Sequence, residues 1–210
     1  MFQTQLDRLL AWASGPERQQ EILQAKAAFF LRHGEVHEED RTFEARLGLF
    51  VEYYLFDRPL DGEGATPAQA FLDLHRSELE AADIPVFESF LRTVHGVFEV
   101  RKLGTKQGLK IREVISGKEY EILERRGLVG LSKGDILEAR LIQAGEQHLF
   151  SGHFLYHPAE ARKAILAEAK RRRRAHPEAS SPQLACDLAR LALKLERYRT
   201  VSVENIYKFD

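Results

Sequence analysis

Over residues 1–95 the apolar side chains recur three to four positions apart, the spacing that lines one face of a helix. Gln3 to Trp12 reads as a short first helix. Ser14, Pro16 and Glu17 open a second, which runs to Arg32 and stops at Gly34. A third begins in the acidic run Glu38, Glu39, Asp40, whose charge suits the positive end of a helix, and sets Phe43, Leu47, Phe50, Val51 and Tyr54 on one core stripe. Asp57 to Gly64 is rich in turn formers. Thr66 and Pro67 then cap a fourth helix that reaches about Glu80. Asp83 and Pro85 start a fifth, bearing Phe87, Phe90, Leu91 and Val94, and Gly96 ends it.

At Val97 the period falls to two. Val97 to Leu103, Leu109 to Val114, Glu119 to Glu124, Ile136 to Ile142 and His148 to Tyr156 are short, β-rich and separated by glycine-containing turns. They predict a small antiparallel five-stranded meander, closed like a barrel so that no edge is left exposed. Pro158 starts another helix, reaching about Arg174, and Ser181-Pro182 starts the last, with Leu184, Leu188, Leu191 and Leu195 on one stripe. The tail carries Val201, Val203, Ile206, Tyr207 and Phe209, too apolar for a free end, and is predicted to dock, with an added strand as one form. The fold class is therefore α+β: an N-terminal helical bundle (1–95), a small antiparallel β-barrel-like domain (96–157) and a C-terminal helical segment (158–210).

Charge sharpens that division. Residues 1–95 carry 9 Lys/Arg against 17 Asp/Glu, residues 96–157 carry 10 against 8, and residues 158–210 carry 12 against 7. The result is net −8, then +2, then +5, in a chain of net −1. A basic end on an acidic body points to an anionic partner or to an internal clamp. At 210 residues and 44% hydrophobic content the chain can bury a sizeable core. Cys186 is the only cysteine, which excludes an intrachain disulfide and a cysteine-based zinc site, and fits a reducing compartment. Asp7 and Arg8 interrupt the stretch a signal peptide would need, and Glu52 breaks the most apolar window, so a cytoplasmic location away from the membrane is expected.

The run Phe50-Val51-Glu52-Tyr53-Tyr54-Leu55-Phe56-Asp57, then Thr66-Pro67 with Phe71-Leu72, Phe98-Glu99-Val100 and Gly134-Asp135-Ile136-Leu137-Glu138-Ala139-Arg140-Leu141 resembles uncharacterised bacterial proteins. In some of these a similar helical-plus-β module accompanies a cysteine-rich metal-binding motif of the SEC-C type. The resemblance spans roughly residues 36–157 and implies a bacterial, cytoplasmic, globular protein. It implies no activity, and without a cysteine cluster no metal function carries over.

The sharpest local feature is Lys170-Arg171-Arg172-Arg173-Arg174. Five adjacent cations would be relieved by a phosphate backbone with release of counterions. The opposing reading is a solvated helix end, since cations suit a helix C-terminus and Glu168 can pair with Arg172. A second basic set, Arg101, Lys102, Lys106, Lys110 and Arg112, falls on the first two strands and their loop, where small barrels bind nucleic acid. It equally describes the wet side of a half-buried sheet, with Phe98 and Tyr120 in the core. His148, His153 and His157 do not converge on a metal in a continuous strand, because His153 and His157 would stand about 13 Å apart. His33 and His37 flank Gly34 in what reads as a solvated acidic loop. Cys186 reads as a small packed residue, and no nucleophile elbow, phosphate loop or dinucleotide fingerprint occurs.

These features lead to a non-enzymatic cytoplasmic binding or adaptor protein, without cofactor, contacting nucleic acid or a protein partner through its basic C-terminal helix and β-domain face. An enzyme or small-ligand receptor with a pocket between helices and barrel is the alternative. A third is a self-assembling homo-oligomer, in which the acidic half of one chain meets the basic end of the next.

Overall fold

The computed structural model describes residues 2–62, 64–103, 109–123, 130–176 and 181–209. Five helices come first: α1 (Gln3–Ala13), α2 (Gln19–His33), α3 (Phe43–Phe56), α4 (Pro67–His75) and α5 (Ile84–Phe90). Their core is aromatic. Trp12 meets Phe71 edge-on with ring centroids 5.5 Å apart, Phe87 meets Phe90 at 5.8 Å, and the Tyr54 hydroxyl donates to the Ala13 carbonyl at 3.0 Å. Thr66 caps α4 as expected, its hydroxyl accepting from the Gln69 amide at 3.3 Å, and Gly34 stops α2 with φ of 94°.

Three helix boundaries differ from expectation for local reasons. Ser14 does not cap the second helix: its hydroxyl donates to the Leu10 carbonyl of α1 at 2.8 Å, and Pro16 holds Gly15 extended, so α2 is entered through a 3₁₀ turn, Pro16–Arg18. The acidic run does not open α3, which starts at Phe43. Its cap comes from elsewhere in the chain, because the Glu196 carboxylate accepts from the amides of Arg41 and Thr42 and from the Thr42 hydroxyl. Gly96 does not end α5. It lies inside β1 (Val94–Leu103), where a Cβ would stand 2.7 Å from the Ser181 hydroxyl. Val94 is in step with Phe90 and Leu91 at helical spacing and with Phe98 at the strand period, so the change of period reads three residues late in the sequence.

β1 pairs antiparallel with β2 (Leu109–Glu113) on one side and with β4 (Ile136–Ala144) on the other. β3 (Glu119–Ile122) pairs with β2, and β5 (Gln147–His157) with β4. The circle closes in the order β1-β2-β3-β5-β4, which is not a simple meander. β3 runs parallel to β5, joined at Ile122 and His148, with the Leu123 amide donating to the His148 carbonyl at 2.8 Å. The barrel is thus mixed. Its interior is packed by Phe98, Val100, Ile111, Tyr120, Ile122, Leu137, Ala139, Leu141 and Phe150.

The outside of β1 and β4 is also buried, because helices cover it. α7 (Ser181–Arg197) crosses β1 with its Leu184 and Leu188, and the Ser181 hydroxyl accepts from the Val97 amide at 2.8 Å. α6 (Arg162–Ala175) adds Ile165 and Ala169 to the same layer, and α3 lies against β5. The tail docks as predicted, although as a short helix, α8 (Val203–Ile206), with Ile206 and Tyr207 buried. The consequence is a set of charged side chains, Glu99, Glu138 and Arg140, at 0, 0 and 1% exposure on what alternation alone reads as a wet face.

Candidate functional site

The last turns of α6 hold the basic run. Glu168, buried beneath it, accepts from Arg171 through Nε and Nη2 at 2.7 and 2.8 Å and from Arg172 Nε at 2.6 Å. The hydrogen bonds from Arg171, reinforced by Arg172, hold the Glu168 carboxyl below the usual range despite its burial. Arg172 also reaches Asp187 of α7 at 2.6 Å, tying the two helices together. Arg173 turns toward the Ile115 carbonyl at 3.4 Å, while Lys170 and Arg174 are exposed. Arg171 and Arg172 are therefore oriented by one buried carboxylate and still present N–H groups to solvent.

The polar stripe of α7 faces the same space. Arg190 and Lys194, and Tyr198 one residue past the helix end, fall at offsets of 3, 7 and 11 from Asp187, with Arg197 beside them. Together with Arg171, Arg172, Glu35, Lys208 and Phe209 they line a groove of about 570 Å³. Six cationic side chains meet three carboxylates there, a local excess of three positive charges. Arg197 is engaged by Asp40 at 3.0 and 2.7 Å, and the Arg197 guanidinium holds the Asp40 carboxyl down at about 2. Arg190 and Lys194 are exposed and make no ion pair among the described residues. Arg190, Lys194, Arg197 and Lys208 are dispersed along the chain and do not stand out in sequence as the contiguous run does. The signal for three of them was present as helical spacing on the polar side of the leucine stripe.

On the β-domain face, Arg101 and Arg112 both turn to Glu99, at 3.1 and 2.6 Å, and Arg162 of α6 joins them. Although burial opposes it, these arginines keep the Glu99 carboxyl below its ordinary value. Lys110 lies 3.7 Å from both Glu119 and Glu121, Lys102 is exposed, and Lys106 lies outside the described residues. Phe98 and Tyr120 meet edge-on at 5.9 Å inside the barrel.

The histidines disperse. His148 packs on Tyr120, His153 Nδ1 donates to the Glu52 carboxylate at 2.7 Å, and His157 meets the Tyr207 hydroxyl at 3.1 Å. His33 is not in a solvated loop: it stacks on Phe29 at 3.8 Å and its Nε2 lies 3.2 Å from the Cys186 sulfur. Burial pushes the Cys186 thiol up to about 11 and His33 below its usual value, so both are neutral at neutral pH and form no thiolate–imidazolium pair. Nearby, His95 Nε2 stands 2.9 Å from Glu138. Burial would raise the Glu138 carboxyl, but the His95 hydrogen bond and the surrounding histidines hold it low. Arg140 spans the helix–barrel junction, bound to Asp57 through both oxygens and to the Thr93 hydroxyl at 2.8 Å. Among the described residues, no group of three or more His, Cys, Asp or Glu side chains is arranged to hold a metal, and no helix is long and apolar enough to cross a membrane.

A family model described as a family of unknown function (DUF7986) matches residues 17–185, and the chain belongs to that family. No curated protein and no solved structure matches it.

Proposed function

We propose that this member of a family of unknown function is a cytoplasmic binding protein, without catalytic activity of its own, that takes an anionic partner into the groove between α6, α7 and the tail. The observation that carries this reading is the convergence of six cations on three carboxylates around about 570 Å³, with Arg190 and Lys194 exposed and unpaired among the described residues. Cations fixed by a buried carboxylate lose little freedom when an anion arrives, which favours binding. The β-domain face is the secondary contact, because Arg101, Arg112 and Lys110 already have carboxylate neighbours.

The rival, a catalytic or small-ligand pocket between helices and barrel, has less support. Much of that junction is filled by Arg140, Glu138, Cys186 and their partners. An apolar groove of about 370 Å³ does open between α5 and the β4–β5 turn, but its lining carries no charged group, and the Ser89 hydroxyl there is engaged by the Val86 carbonyl at 2.6 Å.

The test uses inorganic polyphosphate, a polyanion without bases or side chains, titrated across a salt series. Binding should weaken linearly in log–log form as salt rises. Replacing Arg190 and Lys194 by Glu, both exposed and so at little cost to folding, should abolish it. Tight binding retained by that double variant overturns the assignment of the groove.

A further inference from the structure

Resting on that reading of the groove, we infer that its anionic partner is a single-stranded nucleic acid, with phosphates on Arg190 and Lys194 and a base stacked on Tyr198. A groove that took any polyanion would need cations alone. This one ends in aromatic rings: Tyr198 is 58% exposed, and Phe209, partly exposed, lines the same space. Elsewhere among the described residues the large aromatics are predominantly packed away, Tyr156 being the other exposed ring. An exposed ring in line with cations is the arrangement that binds single strands, where the groove follows the backbone and a π-face receives bases of any kind.

Spacing supports the same class. Arg190 and Lys194 are i, i+4 neighbours on α7, and Tyr198, one residue past its end with its amide donating to the Lys194 carbonyl at 2.9 Å, continues the row, so the side chains advance about 6 Å per step. That is comparable with the repeat of an extended phosphodiester chain. Arg171 and Arg172 already spend Nε and Nη2 on Glu168 and Asp187, which fixes their planes and leaves their Nη1 groups to donate to phosphate oxygens. Shape favours a single strand over a duplex, whose phosphates lie on a wide convex cylinder that meets a concave groove at few points. An acidic peptide would satisfy the cations but would leave Tyr198 without a flat partner.

The experiment compares a fluorescent 12-nucleotide single strand with a hairpin duplex, inorganic polyphosphate and poly-glutamate of similar charge. It uses the full chain and its Tyr198→Ala and Tyr198→Phe variants, the position being exposed. The single strand should bind most tightly. Tyr198→Ala should weaken it about 10-fold, the effect of losing one stacked base, leave polyphosphate binding unchanged, and be rescued by Tyr198→Phe. Equal binding of strand and polyphosphate, both indifferent to Tyr198→Ala, overturns the nucleic-acid inference while the anion groove stands. Tighter binding of poly-glutamate or of duplex also overturns it, in favour of an acidic protein segment or of double-stranded nucleic acid. Binding of none of the four overturns the anion groove itself.

Discussion

His157 is protonated in the unfolded chain at pH values where the folded chain keeps it neutral. Burial lowers its folded value to about 4 from 6.5, against the opposing pull of Glu138. Stability from this group is therefore complete above pH 6.5 and is lost as pH falls toward 4, a contribution of up to about 3 kcal/mol. His33 and His148, also lowered by burial, act with the same sign. Thermal melts across this window should show His157→Asn, which keeps a polar group for the Tyr207 hydroxyl, losing part of the acid sensitivity. An unchanged pH slope would contradict the assignment. His153 has the opposite sign, since its hydrogen bond with Glu52 raises it: its contribution is complete below pH 6.5 and disappears as pH rises through the folded value. Its half-exposed position keeps the effect small. Its ring lies against Gly48, where any Cβ would collide with it. Gly48→Ala should therefore expel the ring, cost about 1–2 kcal/mol and return the His153 titration to its ordinary range, with Gly48→Ala/His153→Ala recovering most of the loss. If the titration of His153 stays raised in Gly48→Ala, the packing is misassigned. None of these pairings was legible in sequence, because Glu52 and His153, or His157 and Tyr207, lie far apart along the chain.

Element by element, helices were most legible where capping was local and least where it was not. Thr66-Pro67 and Gly34 mark their boundaries with their own chemistry, whereas α3 borrows its cap from Glu196 of α7. The same α7 anchors its first turn on β1 by receiving the Val97 amide on Ser181. Ser181→Ala would leave that buried amide unpaired and should cost about 1–3 kcal/mol in urea unfolding. A loss below about 0.5 kcal/mol would mean that the amide finds another acceptor. The strands were legible from their period of two, but their pairing was not: alternation cannot tell that β3 closes on β5 in parallel, nor that helices cover the outside of β1 and β4. Glu99 illustrates the cost of that burial. Removing its charge in Glu99→Gln leaves Arg101, Arg112 and Arg162, each partly exposed, facing one another and should destabilise by about 1–2 kcal/mol. A neutral result in the same denaturation assay would show that these arginines simply turn to solvent.

For the whole molecule, the charge gradient from net −8 to net +5 is only partly closed within the chain. Arg197 and Glu196 of α7 fasten to the acidic half at Asp40 and at the start of α3. The arginine run does not: Arg171 and Arg172 pair with Glu168 and Asp187 beside them, and Arg173 turns to a backbone carbonyl. The basic helix thus stays off the acidic bundle, and with α7 it frames the groove. Five adjacent cations made part of that site visible in sequence. Arg190, Lys194 and Lys208 join it only when α6, α7 and the tail are brought together. The most direct test is to record amide NMR shifts of the isotope-labelled protein while inorganic polyphosphate is added. Shifts should concentrate at Arg171, Arg172 and Arg190 to Tyr198. Shifts centred instead on Lys102, Lys110 and Arg112, or no shifts at low salt, would contradict binding in the groove.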